Sequence, residues 1–141
     1  MEGVSKAAIE RAKEWLKSAT LNRDNDNYAK SLYDLEMSLE LAIKAVMLAL
    51  GKNFPKKHEI GTLFRQTAIA NKNKLPKELN ESLEEIETTF NELLELRAAS
   101  GYNFESDVSK EDFKAFSKKY HNKAVNSIGL CERAVSFMNK R

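Results

Sequence analysis

Residues 28–50 have the sequence YAKSLYDLEMSLELAIKAVMLAL, the longest unbroken apolar pattern in the chain. Its apolar residues recur at alternating steps of four and three, which is the period of one face of an α-helix. From Leu41 to Leu50, further apolar residues fill a second face. Because a helix that is apolar on most sides is buried among other elements, this stretch predicts a central helix. Gly51 is the expected end of that helix.

Similar apolar stripes predict the other helices. We expect them near residues 4–21, 59–70, 77–100 and 110–138. Ser109 and the acidic residues after it predict a capping box at the start of the last helix. No segment alternates with a period of two, so no strand is predicted. Four long helices with short connections predict an all-α fold: an antiparallel up-and-down four-helix bundle with one extra short helix, in a single domain over residues 1–141.

The composition is that of an ordinary globular protein. The chain has 141 residues, of which 42% are hydrophobic and 31% are charged. A single cysteine excludes a disulfide framework. The longest apolar run is interrupted by Lys44 and is too short to span a membrane, and the first residues lack the apolar core of a signal peptide. We therefore expect a cytoplasmic protein that does not associate with membranes.

The net charge of +2 hides a strong segregation along the chain. Successive segments carry net charges of −1, +5, −8 and +6, over residues 1–51, 52–75, 76–112 and 113–141. Such alternation suits antiparallel helices with complementary faces. A basic surface also suits phosphate-bearing ligands. However, 17 of the 23 basic residues are lysines, which more often act as solvated point charges than as bidentate phosphate ligands.

Common catalytic motifs are absent from the sequence. It has no glycine-rich phosphate loop, no His-Glu-x-x-His, no Gly-x-Ser-x-Gly and no Glu-x-x-His pair. His58 precedes the short helix, where we expect it to cap or pack. His121 lies one position off the apolar stripe of the last helix, so we expect it at the rim of the core. Cys131 lies within that stripe, which predicts a buried, unreactive thiol. We predict neither a metal nor a cofactor.

Three features are candidates for a ligand site. Arg97 falls at the next inward position of the fourth helix's stripe, so its charge needs an anion or a carbonyl, unless the side chain extends to solvent. Glu36, Glu40 and Lys44 follow one edge of the central helix, where they could pair with each other or receive Arg97. Tyr102 lies at the mouth of the same groove, where it could stack on a base or close the end of the bundle.

The order of several short motifs resembles one known family. The motifs are Glu40-x-x-x-Lys44-Ala45, Leu50-Gly51, a basic loop, His58-Glu59-Ile60-x-x-Leu63, Arg97, Tyr102 and Ser109-Lys110-Glu111. Over most of its length the chain is similar to the HEPN family (higher eukaryotes and prokaryotes nucleotide-binding domain). The resemblance implies an up-and-down helical bundle with an extra short helix, which agrees with the fold predicted from periodicity.

The resemblance implies two kinds of function. Some members are metal-independent ribonucleases, often toxins, in which a His follows an Arg after four to six residues. Others bind nucleotides, or pair with a small nucleotidyltransferase, without catalysis. Arg97 matches the motif's Arg, but Tyr102, Asn103 and Phe104 follow it at the positions of the His. Because a tyrosine with an ordinary pKa of about 10 is a poor base at neutral pH, we expect no catalysis.

Together, these features predict a HEPN-like domain that binds a nucleotide or RNA. The resemblance implies that it belongs to a toxin–antitoxin-like or nucleotidyltransferase-associated pair. The predicted ligand-binding residues are Arg97, Tyr102, Lys44 and Glu40. One alternative is a ribonuclease with a divergent active site built on Arg97, Tyr102 and His121. The other is a helical bundle that only binds another protein.

A homodimer is predicted from the apolar surface as well as from the resemblance. The central helix is apolar on nearly every side, and the last helix presents apolar residues over more than one stripe: Phe113, Phe116, Val125 and Leu130. A single layer of four helices covers only part of such a surface, and large apolar patches are seldom left in water. We expect Arg97 and Tyr102 near the groove shared by the two subunits.

Overall fold

The computed structural model describes the backbone of residues 2–101 and 108–140, and the side chains of the same ranges except 98–101. These ranges contain six α-helices and a short 3₁₀ turn at Lys72–Lys74: α1 (Glu2–Asp24), α2 (Tyr28–Ala49), α3 (Gly61–Ala70), α4 (Lys77–Glu81), α5 (Leu83–Gly101) and α6 (Lys110–Asn139). The described residues contain no strand, so the all-α prediction is confirmed. None of these helices is both long enough and apolar enough to cross a bilayer.

Helix α2 lies at the centre of the bundle, with α1, α5 and α6 packed around it and α3 against α5. Its apolar residues fill most of its circumference, and Leu35, Leu39 and Ile43 are completely buried. The helix ends at Ala49, and Gly51, just after the capping residue Leu50, has a φ of 73°. The amide groups of Gly51 and Lys52 donate to the last free carbonyls of the helix, at Leu48 and Met47. This is the left-handed glycine cap that the sequence predicts.

Helix α1 runs antiparallel to α2. Along α1 and α2, Ser31 Oγ bonds the carbonyl of Ala19, whereas Ser38 Oγ bonds the earlier carbonyl of Ala12. At the start of α6, the Ser109 hydroxyl accepts a hydrogen bond from the Asp112 amide, and the Asp112 carboxylate accepts one from the Ser109 amide. The predicted capping box is therefore present.

The helix predicted over residues 77–100 is interrupted at Ser82. Helix α4 ends at Glu81, and the backbone of Ser82 leaves the helical range, with φ −110° and ψ 7°. The Ser82 carbonyl accepts a hydrogen bond from the Ile86 amide, so α5 begins there. The apolar stripe continues across the break, with Leu79 and Ile86 both fully buried. Periodicity alone therefore did not reveal the interruption.

Much of the apolar surface that suggested a dimer is covered within the chain. On α6, Phe113 and Leu130 are only 2% and 6% exposed, whereas Val125 is 40% exposed. Phe113 and Leu130 therefore belong to the part of this surface that the bundle itself covers, because α6 packs against α2 and α5. The dimer itself stays a prediction.

Candidate functional site

Arg97, near the end of α5, extends its guanidinium onto the edge of α2. Its Nη1 atom lies 3.3 Å from Glu36 Oε2 and 3.6 Å from Glu40 Oε1. Its Nη2 atom donates to the Tyr33 hydroxyl at 3.2 Å, and the guanidinium lies 5.0 Å from the centre of the Tyr33 ring. The sequence left open whether Arg97 pairs with another group or extends to solvent. In the structure it pairs with the edge of α2. The side chain is 19% exposed.

Glu40 lies at the centre of a cluster that also contains Tyr33, Glu36, Lys44, His58 and Arg97. Lys44, one turn further along α2, donates from Nζ to Glu40 Oε2 at 3.0 Å. His58, in the loop between α2 and α3, places its Nδ1 atom 2.8 Å from Glu40 Oε1, the same oxygen that faces Arg97. Glu40 is almost completely buried, whereas the His58 side chain is 52% exposed. Three basic side chains therefore surround one buried carboxylate.

Glu36 has fewer partners than Glu40. It is fully buried, and neither of its oxygens accepts a hydrogen bond from the residues that the structure describes. Burial and the neighbouring carboxyl of Glu40 raise the pKa of Glu36 to about 8, although Arg97 and Lys44 oppose the shift. At Glu40, burial acts to raise the pKa. The hydrogen bonds from protonated Glu36, Lys44 and His58 outweigh this effect and lower the pKa.

These protonation states leave the cluster positively charged at neutral pH. Glu40 is ionised and Glu36 is mainly protonated, so one carboxylate faces the permanent charge of Arg97 and the ammonium of Lys44. The ligating atoms of Glu36, Glu40 and His58 lie within 4.8 Å of one another. However, the charged side chains of Arg97 and Lys44 already contact those carboxylates and repel a further cation. The arrangement favours an anion over a metal ion.

His121 is separated from this cluster by its contacts. It is buried on α6, 6% exposed, and its Nε2 atom lies 3.5 Å from the Thr20 hydroxyl of α1. The prediction of a rim position is therefore wrong. Burial, followed by the charge of Arg23, lowers the pKa of His121. Tyr102, the other predicted partner of Arg97, lies outside the described residues.

Comparison with known families agrees with the helical architecture. The family model described as HEPN domain matches residues 5–127. The chain belongs to the HEPN family. Every residue of the cluster, from Tyr33 to Arg97, lies inside the matched region. Membership makes this a nucleotide- or RNA-related domain. No curated protein matches the chain.

In this HEPN domain, an exposed basic loop lies beside the cluster. Between α2 and α3, the side chains of Lys52, Lys56 and Lys57 are all exposed, and His58 follows directly. We call these four residues the basic loop. Phe54 is half-buried, with the Lys44 ammonium 5.1 Å from its ring centre. This contact joins the loop to α2, next to the cluster.

Sequence reasoning found some of the HEPN cluster but missed its connection to the loop. The edge formed by Glu36, Glu40 and Lys44 followed from helical spacing, and so did the inward position of Arg97. The contact between His58 and Glu40 did not, because His58 lies in a loop and has no periodic register with α2. The cysteine prediction was accurate: Cys131 is buried, which raises the pKa of its thiol to about 12.

Proposed function

We propose that this HEPN domain binds a phosphate-bearing ligand, a nucleotide or single-stranded RNA, on the surface formed by the basic loop and Arg97. The observation that carries the proposal is the charge imbalance of the cluster, in which Arg97 and Lys44 face one ionised carboxylate at neutral pH. An anion that approaches beside His58 supplies the missing negative charge.

The exposed lysines extend this surface to a longer ligand. Lys52, Lys56 and Lys57 lie on one loop, and only Glu59 carries a negative charge between residues 52 and 75. Lysines neutralise successive phosphates without reading bases, so the affinity should depend on salt and little on sequence. We therefore expect binding of short single strands and of nucleotides that carry several phosphates.

The experiment compares two sets of three lysines. Lys52, Lys56 and Lys57 are changed together to glutamine, and the matched control changes Lys114, Lys118 and Lys123, which are exposed on α6. Fluorescence anisotropy with a labelled oligoadenylate gives Kd at several salt concentrations. We expect the loop variant to bind about tenfold more weakly, with a shallower salt dependence, and the control to bind nearly as the parent does. Equal weakening by both sets would contradict a site at the loop.

Catalysis is not part of the proposed function. The ribonuclease alternative placed Arg97, Tyr102 and His121 together, but the contacts of His121 lie on α1 rather than on the cluster. The motif's His is missing after Arg97. Purified protein should therefore cleave RNA no faster than its Arg97→Ala variant. A clear loss of cleavage in that variant would establish an enzyme.

The proposal includes a cytoplasmic location and two partners, all taken from the sequence and the family resemblance. One partner is a second copy of the chain, and the other is a small nucleotidyltransferase or a toxin–antitoxin counterpart. The exposed Val125 on α6 supports a contact surface there. Sedimentation equilibrium tests the dimer: a mass near 16 kDa at tens of micromolar protein would reject it.

A further inference from the structure

Arg97 and Glu36 lie in contact, but the contact lacks the hydrogen bonds of a well-formed ion pair. Arg97 Nη1 is buried and makes no hydrogen bond within residues 2–101 and 108–140, although Glu36 Oε2 lies at 3.3 Å and Glu40 Oε1 at 3.6 Å. Among the described residues, none donates a hydrogen bond to either oxygen of Glu36. Buried polar groups are nearly always paired, so such a contact is costly and is easily exchanged for a better one.

We propose that Glu36 is an internal competitor for the ligand's phosphate: ionised Glu36 holds Arg97, and protonated Glu36 releases Arg97 to bind the ligand. This inference rests on the proposed function, because it concerns the regulation of the same site. The competing anion belongs to the protein itself, one turn away from Glu40 on α2.

The groups around Glu36 determine how strong this competition is. Helix α5 contributes Arg97, α2 contributes Glu40, Lys44 and the Tyr33 hydroxyl, and the basic loop contributes His58. With Glu36 ionised, two carboxylates balance Arg97 and Lys44, and the cluster has no need of a further anion. With Glu36 protonated, one positive charge is left without a counter-ion. The two states therefore differ by one charge at the binding site.

The protonation equilibrium of Glu36 falls within an accessible pH range. Burial and Glu40 raise the pKa of Glu36 to about 8 in the free domain. A bound phosphate adds negative charge nearby, so it should raise that pKa further, and binding should take up a proton above about pH 8. By linkage, the affinity is greatest below pH 8 and falls as the pH rises through that value.

The experiment measures Kd for labelled oligoadenylate from about pH 7 to about pH 9.5, with wild-type protein and the Glu36→Gln variant. Neither adenine nor a phosphodiester titrates in this range, so the ligand's charge stays constant. We expect similar Kd values at pH 7, because glutamine resembles the protonated side chain. Above pH 8, the wild-type Kd should rise by up to about tenfold per pH unit relative to the variant.

Glu59→Gln is the matched control. It removes an exposed carboxylate next to His58, and it should strengthen binding by a similar factor at every pH. If wild type and Glu36→Gln have the same pH profile while both bind, the competitor role is wrong and the proposed function stands. If wild-type protein does not bind the oligonucleotide at pH 7, the proposed function is wrong, and the competitor role with it.

A second measurement does not depend on any variant. Calorimetric titration of wild-type protein with the oligoadenylate, near pH 8.5 and in buffers of different ionisation enthalpy, gives the number of protons taken up on binding. We expect a sizeable fraction of one proton, which comes from the shift of the Glu36 equilibrium. An uptake of zero would overturn the proposal even if the Glu36→Gln variant did not fold.

Discussion

Helix α2 buries polar side chains on two opposite faces, and the two faces differ in how well those groups are paired. On the face towards α1, Asp34 Oδ2 accepts hydrogen bonds from Ser18 at 2.7 Å and from Asn22 at 2.8 Å. On the face towards α5, the equally buried Glu36 accepts no hydrogen bond from the described part of the chain. A satisfied buried network holds two helices in register, whereas an unsatisfied one costs stability. This difference supports the proposal that the α5 face serves binding, whereas the α1 face holds α1 and α2 together.

The largest effect on the free energy of unfolding should come from removing the ionisable Glu36 on the α5 face. The pKa of Glu36 rises from an ordinary value of 4.5 to about 8 on folding, so the folded state holds a proton that the unfolded state releases. The stability associated with Glu36 is therefore present below about pH 4.5 and is lost as the pH rises to about 8. The Glu36→Gln variant has no such proton to release, so it should not lose this stability as the pH rises.

The free energy of unfolding, measured by urea denaturation, gives this difference directly. Relative to wild type, the variant's free energy of unfolding should rise by up to about 1.4 kcal/mol per pH unit across this window, and by on the order of 5 kcal/mol in all by pH 8. Titrating groups that do not contact Glu36 cancel in the comparison. A variant that is less stable than wild type at pH 8.5 would show that Glu36 is well paired.

A smaller effect of opposite sign is expected on the α1 face. Asp34→Ala removes the acceptor of two buried hydrogen bonds and leaves the donors of Ser18 and Asn22 without it, so it should destabilise the domain by about 2–3 kcal/mol at neutral pH. The Asp34→Asn variant keeps one acceptor oxygen, so it should lose less stability than Asp34→Ala. If Asp34→Ala proves neutral, the two faces do not differ in the way their hydrogen bonds indicate.

The smallest effect is expected from an ion pair that is shorter but more exposed. Arg65 Nη1 lies 2.9 Å from Glu87 Oε1, closer than Arg97 lies to Glu36, yet its side chain is 39% exposed. Because exposed pairs contribute little, Arg65→Met should change the free energy of unfolding by less than about 1 kcal/mol. A larger loss would mean that distance, rather than burial, decides the strength of these pairs.

The helices were largely predictable because apolar periodicity reports directly which side of each helix is buried. Periodicity does not report a one-residue break that leaves the stripe in phase, so the interruption at Ser82 was missed. It also gives no information about loops. The contact of His58 with Glu40 depends on the path of the chain after Gly51, for which no pattern in the sequence exists. His121 was misplaced because a residue one position off the stripe can still be covered by a neighbouring helix, here α1.

The most direct test is an NMR titration of the Glu36 carboxyl carbon, in the free domain and with bound oligoadenylate. In the free domain we expect a midpoint near pH 8, and with ligand a midpoint above that value, because the phosphate and Glu36 compete for Arg97. A midpoint near the ordinary value of 4.5 in the free domain would mean that Glu36 and Arg97 form a satisfied pair. In that case the α5 face of α2, like the α1 face, would only hold the fold together.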